Sequence, residues 1–378
     1  MNYKTNSLAI AITAVLVSTS ALSAGKTDVY GEMRVSIDST SVSGSGLTAG
    51  QQDGSSPFVG RNKGTGFKSN ASRLGIKGYQ DTTLADTQMI YQAEMEYSTV
   101  GEDKAANSTT TGNNSVFVRE AYAGLKNKDY GQVRLGRLTT GYKASYVAID
   151  PWTDHIMQAR QDGQQGVSAL NSNYVNNAVE YVSPMFGGVQ LNAFLSEMTD
   201  NTSDALYNAG VLSRYKGGTA SGAGIKYLIG DLRLTADAIN IGADNAKSVV
   251  ANANFGTNGQ VKNGTAKQFT AQYKFSGGYS LGGVYEDVTE INQGVNNLVV
   301  FTKSVGQNGL LTASYGLNKG DNSSVYGKKD GTTMGLGGIY KLTDTSSVFA
   351  GYSVHNRDTD AGLKREAGTF TVGIDAKF

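Results

Sequence analysis

The sequence predicts an all-β fold, a 16-stranded antiparallel transmembrane β-barrel. Three observations carry that expectation. In the last ten residues Phe370, Val372, Ile374, Ala376 and Phe378 fall on one side of an extended chain, and Thr371, Gly373, Asp375 and Lys377 on the other. Side chains alternate along a strand with period two, so this strand has an apolar face and a charged one, as a wall between lipid and water requires. Beyond residue 24 no stretch approaches the roughly 18 consecutive apolar residues of a spanning helix. Finally, the gaps between strand-like segments alternate long and short, as they do when tight turns close one end of a barrel and long loops the other.

The composition fits. Of 378 residues 39% are apolar, 49 are Gly, 3 are Pro and 21 are Tyr, a residue suited to half-wet interfaces. There is no Cys, which removes disulfides, thiolate metal sites and thiol catalysis. Residues 1–24 read as a secretory leader: Lys4, an apolar run from Leu8 to Val17, then small residues that place cleavage after Ser23 or Ala24. The barrel domain is then 25–378. Removing the leader takes away Lys4 and no acid, leaving no net charge, which argues against nucleic acid as a partner.

Taken in order, strand one runs from Asp28 to Asp38, and a Gly/Ser/Thr-rich loop covers Ser39 to Ser69. Ser72–Tyr79 and Gln88–Tyr97 follow, and Glu94 and Glu96 require one face of the latter to see water. Next come Ser115–Leu125 and Gly131–Arg137, then a long non-alternating stretch, Leu138–Asn173, holding the single Trp, Trp152. Strands resume at Asn177–Ser183, Val189–Glu197, Ser221–Ile229 and Leu232–Asn240. The set ends with Lys267–Phe275, Tyr279–Asp287, Asn297–Ser304, Leu310–Leu317, Thr332–Lys341, Ser346–His355 and Gly368–Phe378. An even count of sixteen leaves a lumen wide enough for water.

Several short motifs, in order and spacing, resemble one family over the whole mature chain. They are Asp28-Val-Tyr-Gly-Glu32, Ser72-Arg-Leu-Gly-Ile-Lys-Gly78, Val118-Arg-Glu-Ala-Tyr-Ala-Gly-Leu-Lys126, Gly131-Gln-Val-Arg-Leu-Gly-Arg137, Tyr181-Val-Ser-Pro-Met-Phe-Gly-Gly188 and the terminal Phe378. The chain resembles the general diffusion porins of Gram-negative outer membranes. The resemblance implies a homotrimer in outer-membrane lipid whose third external loop folds into the lumen, passing small hydrophilic solutes and ions. It also implies that Phe378 is read by the outer-membrane assembly machinery.

The candidate pore residues are basic. A mid-strand Arg facing lipid would cost about 2–4 kcal/mol, so Arg34, Arg73 and Arg119 are expected to point inward, with Lys77 on the face of Arg73. The resemblance matches Arg73, Arg119 and Arg137 to a basic ladder, extended by Arg34, with Arg134 on the same strand as Arg137. Arg134 and Arg137 have opposite parity, so both face water only if a bulge or the strand end intervenes. Arg119 and Glu120 pose the same difficulty; the resemblance puts Arg119 inward, leaving Glu120 toward a neighbouring subunit or the membrane interface. Asp150, Asp154 and Asp162 are the loop acids expected to oppose the ladder, since charged rings set ion selectivity. At Tyr174 the chain departs from the family, which often has Arg there.

Catalysis and cofactors find no support. Two His and no Cys leave no zinc ligand set at suitable spacing, and Gly335-Leu-Gly-Gly338 sits in a strand pattern and not before a helix. The expectation is a passive channel without catalytic residues, metal or cofactor. An outer-membrane barrel enzyme, or a closed structural or adhesive barrel, is the alternative.

Overall fold

The computed structural model describes residues 25–53, 61–100, 116–160, 166–172, 174–198, 218–243, 264–291, 294–320, 330–358 and 364–378. The predicted leader lies outside them. Seventeen extended segments form one antiparallel sheet. They are β1 (Gly25–Gly44), β2 (Gly64–Ser69), β3 (Arg73–Asp81), β4 (Thr87–Tyr97), β5 (Val116–Asn127), β6 (Gly131–Leu138), β7 (Val175–Val182), β8 (Val189–Met198) and β9 (Gly218–Ile229). The series continues with β10 (Leu232–Ala243), β11 (Gly264–Phe275), β12 (Tyr279–Asp287), β13 (Val295–Val305), β14 (Gly309–Lys319), β15 (Gly331–Lys341), β16 (Ser346–Asp358) and β17 (Lys364–Lys377).

β2 and β3 are halves of one barrel strand. Glu32 pairs with Arg73 and Val35 with Ser69, so the chain gains one residue at a break where Ala71 takes φ 56. The wall therefore has sixteen strands. Each pairs with its sequence neighbours, and β1 closes the ring against β17, from Glu32↔Lys377 to Gly44↔Arg365. Closure is forced by the medium, because each unpaired backbone group in lipid costs several kcal/mol.

Strand one is longer than expected, and the loop predicted from Ser39 begins only after Gly44. Low apolar content misleads here because the inward side of this wall is wet. Thr40 Oγ1 meets Thr369 Oγ1 at 2.9 Å on the inward side, so a hydroxyl pair replaces an apolar one across the strands. On β17 the two faces separate as their sequence requires: Phe370, Val372 and Ile374 are 44–56% exposed on the outside, and Thr369 and Thr371 are fully buried inside.

The segment between β6 and β7 carries the core. Its helix α1 (Gly141–Val147) is capped by Thr140, whose hydroxyl accepts from the Lys143 N–H. Tyr142 packs on inward-facing Phe194, Ile239 and Ile241, and Tyr146 and Ile149 on Val284, Leu298 and Val300. Further along, Trp152 and Met157 pack on Phe349. Fully burying side chains of this size is worth about 1.5–3 kcal/mol each, so the loop is fastened across one arc of the inner wall. Gly337 and Gly351 make room: a Cβ at Gly337 would lie 2.5 Å from the Trp152 ring, and one at Gly351 2.2 Å from the Met157 sulfur.

Candidate functional site at the inner loop and basic wall

Polar pins complete the attachment. Glu286 on β12 is fully buried and accepts from Tyr142 Oη (2.6 Å), Ser168 N and Oγ (both 2.6 Å), Asn171 Nδ2 (2.9 Å) and Asn296 Nδ2 (2.8 Å). Trp152 Nε1 donates to Thr312 Oγ1 at 2.7 Å, Ser145 Oγ to Asp237 at 2.7 Å, and His155 Nε2 lies 3.1 Å from Asp375. A buried carboxylate satisfied this fully costs little where it is, but would leave several donors unpaired if removed.

The loop delivers Asp154 to the arginines. Its Oδ2 lies 3.2 Å from Arg73, 3.3 Å from Arg119 and 3.4 Å from Arg34, and Arg160 of the loop itself bonds Oδ1. The residue sits at φ 71, a left-handed conformation that Asp tolerates better than most residues. Burial would push this carboxyl up; the guanidiniums of Arg119, Arg160, Arg73 and Arg34 outweigh it and hold it well below the usual carboxylate range.

Wall acids complete the network. Glu32 holds Arg34 at 2.7 Å and also pairs with Arg73, and Arg119 is held by Glu94 at 2.8 Å and by Glu96. Four carboxylates thus match four guanidiniums. Arg34, Arg73 and Arg119 are brought together; Lys77 is not, lying nearer the short turns with its ammonium 5.1 Å from the Tyr30 ring. Arg134 pairs with Glu180 instead.

Both conflicts of parity resolve through bulges, and the first corrects the expectation for Glu120. Glu94 pairs with Glu120 but Met95 with Val118, so Arg119 is the extra residue of a bulge. Glu120 consequently faces inward with Arg119 and not toward a subunit or lipid: it accepts from Gln92 Nε2 (2.9 Å) and the Thr139 N–H (3.1 Å). Between β6 and β7 the register shifts after Gly136, itself at φ 139, and Arg137 lies along the break, donating to the carbonyls of Val118 (2.9 Å) and Arg119 (3.1 Å).

Asp150 is a second correction. It does not oppose the arginines but organises the loop from within, accepting from the N–H groups of Trp152 and Ala159 (both 2.9 Å) and from Tyr146. Asp162 lies outside the described residues. Tyr174 stacks near Arg119 (5.5 Å), Arg137 (5.1 Å) and Lys143 (3.4 Å), so an aromatic face gathers the cations at this position. Burial drives the Lys143 ammonium well below its ordinary range, with Arg160 and Arg119 adding to the effect. Glu32, Lys143 and Glu286 were not singled out from sequence; Glu32 could have been, since it shares the inward parity of Arg34 and stands in the Asp28–Glu32 motif.

Among known proteins, a family model described as Gram-negative porin matches residues 8–360. An outer membrane porin protein of Bordetella pertussis is 28% identical over 185 residues, 48% of this chain and 45% of that protein. The match therefore spans less than half of that relative's length. Among solved structures, an anion-selective porin from Comamonas acidovorans superposes with a TM-score of 0.64 at 16% identity, covering 94% of this chain and 100% of that one. OmpT of Vibrio cholerae in its trimer form gives 0.57 at 18% identity, with 94% and 100% covered. At these identities the superpositions speak for the fold.

Proposed function

Because the chain belongs to the Gram-negative porin family, we propose that it is a water-filled channel for passive diffusion of small hydrophilic solutes and ions. Its compartment is the Gram-negative outer membrane, and family and fold are those of a channel rather than of an enzyme. The observation that carries the reading is the two-sidedness of a closed wall: apolar side chains outside, charge and hydrogen-bonding groups inside, and a charged loop fastened within. An enzymatic or closed adhesive barrel has no comparable support.

In this reading Arg34, Arg73 and Arg119 with Asp154 form the constriction, and Arg134, Arg137 and Lys77 line its approaches. The leader is removed and 25–378 is the mature barrel. The trimeric form of the Vibrio cholerae protein supports a homotrimer. Phe378 is the assembly signal; its ring lies over Gly31, and its N–H and carbonyl pair with those of Gly31 at 3.1 and 2.9 Å, which leaves the side chain outward and exposed.

Planar-bilayer conductance is the test. Stepwise openings grouped in threes are expected from purified folded protein. No conductance from protein whose heat-modifiable gel mobility shows a folded barrel would overturn the channel reading.

A further inference from the structure

The arginines clustered at Asp154 carry little net charge toward a passing ion. Arg34, Arg73, Arg119 and Arg160 are matched within the network by Glu32, Glu94, Glu96 and Asp154. Two further acids of the inner wall are committed beneath the loop. Glu286 is fully buried among neutral donors, and Asp237 is 6% exposed and committed to Ser145 at 2.7 Å. Gly224 keeps Asp237 so committed, because a Cβ there would stand 2.1 Å from its Oδ1 and 2.7 Å from Asn192 Nδ2.

Two cations on the short-turn side of the loop have no such match. Lys226 on β9 pairs in register with Thr235 on β10, so Lys226 and Arg233 point the same way from diagonal positions beside the Gly230–Asp231 turn. Thr235 is buried and bonds Thr270 at 2.7 Å, and Asp237 meets the loop, which fixes this parity as inward. Diagonal cross-strand partners sit about 7–8 Å apart. Their inward register neighbours are Gln190 and Gln272, and among the described residues neither cation has a carboxylate within 4.0 Å. Asp237 is the acid whose field reaches Arg233. Like charges held this close repel, and a fold that retains them without a carboxylate in contact leaves room for an anion to supply one. Lys77 stands on the far arc, six strands away around the wall, exposed and opposite Asp28 in register, a carboxylate that Lys26 engages at 2.9 Å.

We propose that Lys226 and Arg233, with Lys77 across the lumen, form the anion filter of this channel, which selects small inorganic and carboxylate anions while the arginine wall acts as a charge-neutral sieve. The proposal rests on the channel reading above and names the residues that set its selectivity.

The test is the zero-current potential of the purified full-length channel in a potassium chloride gradient, then in potassium acetate. Wild type is expected to favour chloride over potassium. Lys226→Gln/Arg233→Gln should lower that permeability ratio about threefold with conductance retained, and Lys226→Arg/Arg233→Lys should restore it. Lys226→Gln alone, a partly exposed and unpaired site, gives a smaller shift in the same direction and covers failure of the double variant to fold. A cation-preferring wild type, or an unchanged ratio in conducting variants, overturns the filter and leaves the channel standing. Folded protein without conductance removes the channel itself.

Discussion

Arg73 Nη1 lies 3.2 Å from Asp154 Oδ2, though the two residues are 81 positions apart and one belongs to the wall, the other to the loop. Their contact joins the inner loop to the basic wall. Asp154→Asn would leave Arg34, Arg73, Arg119 and Arg160 with one acceptor too few in a buried network. Breaking a buried ion pair from one side costs about 3–5 kcal/mol, which here falls on docking of the loop and not on the barrel. The expected outcome is faster proteolysis within 139–174, larger and noisier conductance, and a shift of the zero-current potential toward anions. Unchanged proteolysis and conductance would remove Asp154 from any role in holding the loop.

The same carboxylate dictates a pH dependence. Its docked value is depressed, against about 3.9 for a free Asp, so the docked loop gains stability from ionisation that is complete above about pH 4. That stability is lost as pH falls through the depressed value. The loop is therefore expected to stay attached in mild acid and to release only below about pH 4. Trp152 fluorescence titrated from pH 7 downward checks this, because it is the single Trp of the chain. Release centred near neutral pH would contradict the carboxylate as its cause.

Trp152 also reports on a purely steric contact. Gly337 lies beneath the indole, and a Cβ there would meet the ring at 2.5 Å and the Ala350 carbonyl at 2.9 Å. Gly337→Val must displace the ring or the strand, at about 1–3 kcal/mol for overpacking. A red-shifted, more quenchable Trp emission with intact heat-modifiable mobility is expected. Emission identical to wild type would mean the indole sits elsewhere.

Much of this architecture was legible because a barrel wall repeats with period two: Phe370, Val372 and Ile374 announce the outside as plainly as Arg34 and Arg73 announce the inside. Three features were not. Bulges are backbone events, and nothing in Val-Arg-Glu at 118–120 states that Arg119 and Glu120 share a side; only Gly136 hints at the second break. Asp150 and Asp154 are equivalent by composition, and the loop's own fold separates them, turning one inward onto N–H groups and the other onto the wall. The docking arc was written in the chain but unread: Leu298-Val-Val-Phe301 is apolar on both faces, which a water-facing strand would not need, and Leu298 and Val300 lie under the loop. Lys226 and Arg233 were likewise visible as inward positions flanking a two-residue turn.

The bulge at Arg119 makes the last prediction. A one-residue slip moves every side chain of a strand to its other face. Deleting Arg119 causes no such slip: it removes the extra residue, so Val118 and Glu120 become neighbours opposite Met95 and Glu94, and the strand regains plain alternation. Val118, 44% exposed on the outside, and Glu120, facing inward, then keep their native sides and their partners Met95 and Glu94. Replacing Arg119 with Gln keeps the bulge and loses only the ion pairs to Glu94, Glu96 and Asp154. Both the deletion and Arg119→Gln are therefore expected to retain the heat-modifiable folded band, with conductance altered by the lost ion pairs. A deletion variant that loses the folded band while Arg119→Gln keeps it would show that the bulge itself, and not only its ion pairs, is needed for the barrel to form.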